Sequence, residues 1–279
     1  MLGHQLIRKL SDRFDVMATV RGQADSVSKY DLFSPDRTFF GCDIRERDTL
    51  EGIVAETQPN AVINAIGIVK QRLASDDILQ SLEVNSVLPH RLAQLCRDIN
   101  ARLIHISTDC IFDGTKGGYR ETDTADATDI YGRTKYLGEV TGPNCLTLRT
   151  SIIGLELKRN RSLIEWFLRQ DGTISGYRKA IFSGVSTAEL CRVIALLLLD
   201  HPELHGLYHL ASKPISKHDL LVLFASHLKR DAKFRPDDSL KVDRSLVGDR
   251  FCAQTGYVTP SWDDMLQELA GEVAARSSP

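Results

Sequence analysis

Apolar runs with the length of strands alternate with amphipathic stretches with the length of helices through the first half of the chain. The runs that indicate strands are residues 15–20, 38–41, 61–67, 103–106 and 145–149. Helical spacing of apolar residues covers residues 1–10, 45–56 and 76–99. Strands that alternate with helices pack as a parallel sheet with helices on both faces. The alternation therefore predicts an α/β fold with a doubly wound parallel sheet.

A group of polar side chains follows the fourth of these strands. Ser107, Thr108 and Asp109 come directly after the strand, and Phe112-Asp113-Gly114 continue the loop. Ligands of parallel sheets bind at the carboxyl ends of the strands. The sequence therefore predicts a ligand site at this strand end.

Tyr131 and Lys135 lie one loop further along, four residues apart in a helical stretch. On a helix this spacing places the two side chains on one face, ~6 Å apart. The Lys135 ammonium is expected to lower the pKa of the Tyr131 phenol by charge attraction, which suits the phenol to acid–base chemistry at neutral pH. A tyrosine and a lysine four residues apart are common on solvated helix faces. The Ser-Thr-Asp sequence at 107–109, one loop before this pair, is what favours a functional site.

These two segments together resemble the extended short-chain dehydrogenase/reductase superfamily. The residues that carry the resemblance are Ser-Thr-Asp-Cys-Ile-Phe-Asp-Gly at 107–114 and Tyr-Gly-Arg-Thr-Lys at 131–135. Within the superfamily the chain is similar to the dTDP-4-dehydrorhamnose reductase family of 4-keto-sugar-nucleotide reductases. The resemblance implies a Rossmann-like NAD(P)-binding fold and NADPH-dependent reduction of a 4-keto-6-deoxy sugar nucleotide in deoxysugar and polysaccharide biosynthesis.

The resemblance also implies roles for residues near the strand end. Tyr131 would protonate the alkoxide that forms at C4, and Thr108 would hydrogen-bond the substrate oxygen. Tyr131 and Lys135 would also contact the cofactor, where Lys135 would hold the nicotinamide ribose. Asp109 is placed beside the substrate. Asn85 would organise the proton relay through water, and the alternative is a buried amide satisfied by backbone groups.

The first ten residues depart from the resembled family. In relatives a hydrophobic strand and a Gly-rich turn precede the first helix, and the turn holds the cofactor pyrophosphate. Here the helical pattern begins at once, and of the turn only the last glycine, Gly3, is present. We therefore expect that the numbering starts at an internal methionine of a longer protein. A natural short form that has lost cofactor binding is the alternative.

Cofactor contacts are expected at the ends of the first three strands. Arg21 lies 18 positions after Gly3, where an arginine suits the 2′-phosphate of NADPH; NADH as cofactor and a solvent-exposed Arg21 are the alternatives. Asp43 matches a carboxylate that contacts the adenine amino group in relatives, or alternatively caps the next helix. The segment beside the cofactor in relatives is matched by Ala65, Ile66 and Gly67.

The chain is expected to divide into two interleaved domains. Residues 1–150 and about 184–212 would form the NADP-binding domain. Residues from about 151 to 183 and from 213 to 279 would form a smaller lobe that binds the sugar nucleotide. In that lobe Arg244 would face the substrate diphosphate, and an exposed arginine in a charged segment is the alternative.

Composition limits the partners and the compartment. The 279 residues carry a net charge of −2, which gives no reason to expect nucleic acid or a membrane surface as a partner. The six cysteines are scattered singly, which argues for reduced thiols in a cytoplasmic protein. Some relatives are magnesium-dependent dimers. No acidic cluster in this sequence predicts a metal site, and both a Mg²⁺ requirement and a homodimer are left open.

Two other functions fit parts of the sequence. A nucleotide-sugar 4,6-dehydratase or epimerase with tightly bound NAD would show Thr-Asp-Glu at the strand end, where Cys110 replaces the glutamate. A non-catalytic NADP-binding regulatory subunit is the second alternative, and the departure at the first ten residues gives it weight. We expect the reductase because the residues that the resemblance implies for catalysis are all present.

Overall fold

The computed structural model describes residues 1–68, 78–158 and 161–277. They form two compact units, each made of several chain segments. Unit 1 comprises Met1–Ser107, Arg133–Thr147 and Cys191–Leu207. Unit 2 comprises Thr108–Gly132, Leu148–Leu190 and the chain from Tyr208 onward. This division differs from the expected domains chiefly because residues 108–132 belong to unit 2.

Strands and helices alternate in the predicted order from α1 to β5, and beyond β5 several short strands follow one another. The helices are α1 (Leu2–Leu10), α2 (Arg47–Thr57), α3 (Ile78–Ser81), α4 (Leu88–Asp98), α5 (Ile130–Leu137), α6 (Leu163–Leu168), α7 (Thr187–Leu199), α8 (Lys217–His227), α9 (Asp249–Thr255) and α10 (Trp262–Ser277). The strands are β1 (Ala18–Val20), β2 (Thr38–Phe40), β3 (Ala61–Asn64), β4 (Arg102–Ile106), β5 (Cys145–Arg149), β6 (Ile152–Ile153), β7 (Thr173–Tyr177), β8 (Ala180–Phe182), β9 (Val185–Ser186), β10 (Gly206–His209), β11 (Ile215–Ser216), β12 (Lys233–Asp237) and β13 (Val242–Asp243).

Unit 1 contains the parallel strands that the sequence predicts. β3 and β4 pair in parallel, with Ala61 opposite Arg102 and Asn64 opposite His105. Their sheet has the order β10-β5-β4-β3, and β1 and β2 pair in parallel as a separate two-stranded sheet. The α/β class is therefore confirmed, with strands shorter than the apolar runs that predicted them.

Helices cover this sheet with apolar faces. α4 packs on both β3 and β4, because its apolar residues recur at helical spacing and so share one side of the helix. The core that results is made of Leu50, Leu88, Leu92, Ala93, Cys96, Ala101, Leu103, Val140 and Cys145. Burial of these side chains is the main favourable contribution to the stability of unit 1.

The helical stretch predicted at 76–99 is interrupted, and its first two residues lie outside the described part of the chain. A π-helical turn spans Leu82–Val87 between α3 and α4. Such turns widen the helix and occur often at functional sites. Here the turn brings two buried polar side chains to Thr134 of α5: Ser86 Oγ donates to its carbonyl at 2.8 Å, and Asn85 Nδ2 donates to its hydroxyl at 3.2 Å.

Most strands of unit 2 are short and are not predicted by the sequence pattern. β7 and β12 pair in parallel over five residues, from Thr173–Lys233 to Tyr177–Asp237. β8 lies between β11 and β13, antiparallel to the first and parallel to the second. Most of these strands have two or three residues, too few to show the alternation from which a strand is recognised.

The end of α5 packs closely against the π-helical turn at Gly138. A Cβ added to Gly138 would collide with the Asn85 carbonyl oxygen and lie 3.2 Å from Pro89 Cγ. Gly138→Ala is therefore expected to lower the free energy of unfolding by about 1–3 kcal/mol through overpacking. Gly52→Ala is the matched control, because Gly52 lies within α2 with nothing within 4 Å of an added Cβ.

The control is expected to raise stability by about 0.5–1 kcal/mol, because alanine restricts the unfolded chain and favours the helix. Urea unfolding followed by far-UV circular dichroism measures both variants. A Gly138→Ala protein as stable as the parent would show that the helix end is not closely packed.

Candidate active site

The turn after β4 holds Thr108 in a hydrogen-bonded, buried setting. Thr108 has an extended backbone and caps the short 3₁₀ turn Asp109–Ile111. Its Oγ1 accepts the Cys110 N–H at 3.2 Å and donates to Asp109 Oδ1 at 3.2 Å. Both Thr108 and Asp109 are buried. The predicted strand-end group is thus part of a turn whose side chains are oriented by local hydrogen bonds.

Helix α5 reaches this turn through a glycine. A Cβ added to Gly132 would collide with the Cys110 carbonyl oxygen and with Ala127 Cβ. The absence of a side chain at Gly132 lets the helix approach the turn, and Tyr131, the preceding residue, shares a hydrogen bond with the Thr108 side chain. The structure therefore brings together the hydroxyl and the phenol that the sequence predicted as partners.

Burial raises the pKa of the Tyr131 phenol above its ordinary value. The neighbouring Cys110, Asp109 and Asp129 act in the same direction, and the hydrogen bond with Thr108 acts against it. The prediction of a lowered pKa is therefore wrong, because the cost of placing a phenolate in this buried setting exceeds the favourable interactions. At neutral pH Tyr131 carries its proton and can donate it.

Lys135 of the same helix is buried in unit 1, with 4% of its surface exposed. Its Nζ donates to the Ile106 carbonyl oxygen, the last of β4, at 2.8 Å. Burial lowers its pKa to about 8, and the charge of Glu139 opposes that shift. Glu139 in turn accepts a hydrogen bond from Ser107 Oγ at 2.7 Å.

Asn85 is fixed by three hydrogen bonds within unit 1. Its Oδ1 accepts the Ile68 N–H at 2.8 Å, and its Nδ2 donates to the Ile68 carbonyl at 3.0 Å and to Thr134 Oγ1 at 3.2 Å. The amide is thus satisfied largely by backbone, which is the alternative that the sequence left open. These bonds hold the segment that follows β3 beside the π-helical turn.

Two residues predicted for the cofactor, Tyr131 and Lys135, lie on α5. The others follow the ends of β1, β2 and β3, except Gly3, which is exposed in the first turn of α1. Arg21 is exposed directly after β1, and its charge helps to lower the pKa of Asp43. Asp43 accepts hydrogen bonds from Arg45, through the backbone N–H at 3.1 Å and Nε at 2.9 Å. These bonds lower the pKa of Asp43 to about 2.

The alternative of a helix-cap role for Asp43 is wrong, because α2 starts later than predicted and its N-cap residue is Glu46. The segment predicted to lie beside the cofactor follows β3 directly. Ile66 and Gly67 are exposed there, and the Ile66 N–H is held by Asn64 Oδ1 at 3.2 Å. The end of β3 therefore presents a short exposed backbone segment whose conformation is set by a buried asparagine.

Arg244 is half-buried, so the alternative of an exposed arginine is wrong. Its Nε donates to the Phe112 carbonyl at 2.7 Å and its Nη2 to the Asp113 carbonyl at 3.1 Å. Its charge lowers the pKa of the buried Asp109, as does a hydrogen bond from Ser151, but burial has the larger effect and raises that pKa. Arg244 thus anchors the loop after the 3₁₀ turn and adds positive charge near Asp109.

Sequence reasoning missed two residues that act on predicted ones. Glu139 lies four residues after Lys135, a spacing that could have indicated the pair, but Ser107 is distant in sequence. Arg45 lies two residues after Asp43, and its side chain folds back to the carboxylate. No periodic pattern signals a contact over so short a distance.

Within residues 1–68, 78–158 and 161–277 there is no group of three His, Cys, Asp or Glu side chains placed to hold a metal ion. In the same described ranges, none of the helices has both the length and the apolar character needed to cross a bilayer.

Comparison with known proteins decides the family. Residues 1–270 match the family model described as the RmlD substrate binding domain. The chain belongs to this family. It is 27% identical over 211 residues to a dTDP-4-dehydrorhamnose reductase of Aggregatibacter actinomycetemcomitans, an alignment that covers 70% of this chain and 69% of that protein. It is also 25% identical over 188 residues to the methionine adenosyltransferase 2 subunit beta of Danio rerio, which covers 63% of this chain and 57% of that one.

The fold of this family member matches solved structures. A dTDP-4-dehydrorhamnose reductase from Bacillus anthracis, solved in complex with NADP, superposes with a TM-score of 0.73 at 21% identity. The superposition covers 92% of this chain and 99% of that one. The two proteins share the Rossmann-like arrangement of parallel strands and helices.

The two hydrogen bonds from Arg244 to backbone carbonyls predict a measurable stabilisation. Arg244→Ala would leave the carbonyls of Phe112 and Asp113 without these donors and is expected to cost about 1–3 kcal/mol. Arg235→Ala is the control, because Arg235 is exposed and its Nη2 donates to a hydroxyl, Ser175 Oγ, at 2.9 Å.

The Arg235→Ala change is expected to alter stability by less than about 0.5 kcal/mol. Urea denaturation curves recorded side by side compare the two variants. Equal stabilities for the two would show that Arg244 does not anchor the loop.

Proposed function

We propose that this protein reduces the C4 ketone of a 4-keto-6-deoxy sugar nucleotide with NADPH, as its dTDP-4-dehydrorhamnose reductase relatives do. One observation carries the proposal: Thr108, which follows β4, shares a hydrogen bond with Tyr131. Tyr131 lies on α5, the helix that also carries Lys135. A hydroxyl, a protonated phenol and a lysine in this order are suited to proton transfer to a carbonyl oxygen. The family membership supports the same assignment.

The described residues fit a dinucleotide. Ile66 and Gly67 are exposed after β3, and a Cβ added to Gly67 would make an ordinary contact, 3.4 Å from Asn85 Oδ1. Arg21 offers an exposed cation after β1, the charge that a 2′-phosphate requires. Gly3, Asp43 and Ala65 complete the set of cofactor contacts. NADPH would supply a hydride to the ketone carbon.

Tyr131 is the proton donor in this proposal. Because burial raises its pKa, the phenol holds its proton at neutral pH until an alkoxide, a far stronger base than phenolate, develops on the substrate oxygen. The Thr108 hydroxyl would turn its single proton from Asp109 Oδ1 to the same substrate oxygen and so help to hold that oxygen beside the phenol. The ketone gains one hydride and one proton and leaves as the alcohol.

Lys135 supplies the positive charge. Its ammonium group would donate hydrogen bonds to the ribose hydroxyls of the cofactor. Asn85 would assist the relay through a water molecule, for which one of its three hydrogen bonds must exchange. Asp109 and Arg244 would lie on the substrate side, where the guanidinium charge complements a diphosphate.

We assign cofactor binding to residues 1–150 and about 184–212, and sugar-nucleotide binding to residues from about 151 to 183 and from 213 to 279. Thr108 and Tyr131 belong to unit 2, so the proton donor is part of the same compact unit as most of the substrate-binding segments. The six cysteines are free thiols, which favours a reducing compartment and supports the cytoplasm as the place of the reaction.

A regulatory subunit that binds NADP is the second candidate, favoured by the similarity to the adenosyltransferase subunit. A 4,6-dehydratase or epimerase is disfavoured by Cys110. Burial and the adjacent Asp109 raise the pKa of its thiol to about 12, so the thiol cannot replace an ionised glutamate at neutral pH.

The test is NADPH oxidation with a panel of keto-sugar nucleotides. Tyr131→Phe is expected to lower kcat by ~10²–10⁴, because it removes the proton donor while leaving the ring. Tyr136→Phe is the matched control, because Tyr136 lies on the same helix with 48% of its surface exposed, and its activity should equal that of the parent. Thr108→Val is expected to show a smaller loss.

Isothermal titration with NADPH separates the two candidates. Tyr131→Phe should still bind NADPH, because the other predicted cofactor contacts remain. Binding of NADPH by the parent with no turnover of any keto-sugar nucleotide would support the regulatory subunit instead.

The pKa of Lys135 predicts an alkaline loss of activity. Below about pH 8 the ammonium is charged, and above it the buried amine is neutral. The kcat/KM for NADPH should therefore fall as pH rises through about 8, whereas a limit set by Tyr131 would appear above ~10. Lys135→Arg keeps a cation with a pKa above ~12 and should move the loss to higher pH. An unchanged profile in Lys135→Arg would argue against this role for the lysine.

A further inference from the structure

Glu139 is an acid outside the predicted set whose contacts lead to both the strand end and the lysine of the site. It follows α5, four residues after Lys135, and its carboxylate accepts the Ser107 hydroxyl at 2.7 Å. Ser107 is buried and follows Ile106, whose carbonyl accepts the Lys135 Nζ hydrogen bond at 2.8 Å. At the end of β4, Ile106 therefore binds Lys135, and the next residue, Ser107, binds Glu139.

We propose that Glu139, held by Ser107, is a positioning residue that keeps Lys135 protonated and directed at the Ile106 carbonyl. The inference rests on the proposed function, in which Lys135 acts as a cation. It concerns a residue that touches neither substrate nor cofactor and acts through the lysine alone.

Burial explains why the lysine needs this partner. An ammonium taken out of water loses most of its hydration, and one neutral carbonyl recovers only part of that free energy. An opposite charge close by restores the preference for the charged form. The Ser107 hydroxyl bonds the carboxylate, and a hydrogen bond to an ionised group is both shorter and stronger than one between neutral groups.

Other titratable groups around the lysine do not supply that charge. His105 of β4 is fully buried, its Nδ1 lies 3.0 Å from Asn64 Nδ2, and burial together with Lys135 lowers its pKa well below the ordinary value, so the ring is neutral. His90 of α4 bonds the Leu137 carbonyl through Nε2 at 2.8 Å. Glu83 of the π-helical turn raises the pKa of Arg45.

Of the acids in the described part of unit 1, Glu139 is the one that acts to raise the pKa of Lys135. Its removal should therefore shift the lysine further towards the neutral amine. Because the pKa of Lys135 is already about 8, a further fall brings its titration close to neutral pH. The amine would then be mostly uncharged.

NMR titration of Lys135 in protein with ¹³C-labelled lysine tests the inference without any substrate. The Lys135 signal is assigned as the one that is missing from the spectrum of the Lys135→Arg variant. Glu139→Gln keeps the shape of the side chain and its hydrogen bond with Ser107 but removes the charge, and it should lower the pKa of Lys135 by ~1 unit or more. Glu51→Gln is the matched control, because Glu51 forms an exposed ion pair with Arg47 on α2; it should leave the titration unchanged.

Glu139→Ala should lower the pKa of Lys135 in the same direction, and Glu139→Asp should recover part of the loss because the charge is restored. Should Glu139→Gln fail to fold, the alanine variant carries the test. A Lys135 titration equal to that of the parent in the charge-removing variants overturns the proposal.

Kinetics gives a second measurement. In Glu139→Gln the alkaline loss of kcat/KM for NADPH should move to lower pH by the same amount as the NMR titration, with kcat at low pH near that of the parent. If the NMR shift is observed but no keto-sugar nucleotide is reduced by the parent, the role of Glu139 stands and the proposed reaction falls. If reduction is observed and the shift is not, the opposite conclusion follows.

Discussion

The close packing of α5 is the constraint on which the candidate site depends. Within unit 2, Gly132 lets the start of the helix approach the Cys110 carbonyl, and within unit 1, Gly138 lets the residues after its end approach the Asn85 carbonyl. Close packing of backbone against backbone leaves no freedom for the helix to slide, because interiors are packed at crystal-like density. The helix therefore brings Tyr131 to Thr108, with which its phenol shares a hydrogen bond.

Burial then sets the chemistry of the side chains that this packing places. It raises the pKa of the Tyr131 phenol and lowers that of the Lys135 ammonium, since both charged forms lose hydration. Burial thus favours the neutral form of the phenol, which can donate a proton. It also disfavours the charged form of the lysine, and the charge of Glu139 opposes that effect. In the proposed reaction the neutral phenol would protonate the alkoxide, and the charged lysine would hold the cofactor ribose.

The fold was predictable where elements are long. Apolar runs such as 103–106 and 145–149 and the helical pattern at 45–56 all correspond to observed elements, because burial on one or both faces leaves a periodic trace in the sequence. The strands of unit 2 left no such trace. Strands such as β8 and β13 have three and two residues, and they form because segments distant in sequence meet in the folded chain.

For the site, the sequence specifies which groups are present and how they are spaced: a threonine at a strand end, and a tyrosine and lysine one helical turn apart. Their environment arises only in the folded chain. Burial decides that the pKa of Tyr131 is raised and not lowered. The hydrogen bonds from Arg244 to two carbonyls and from Ser107 to Glu139 join residues up to 132 positions apart in the sequence. The pKa shift and these contacts are properties of the folded environment, so the local spacing of residues could not predict them.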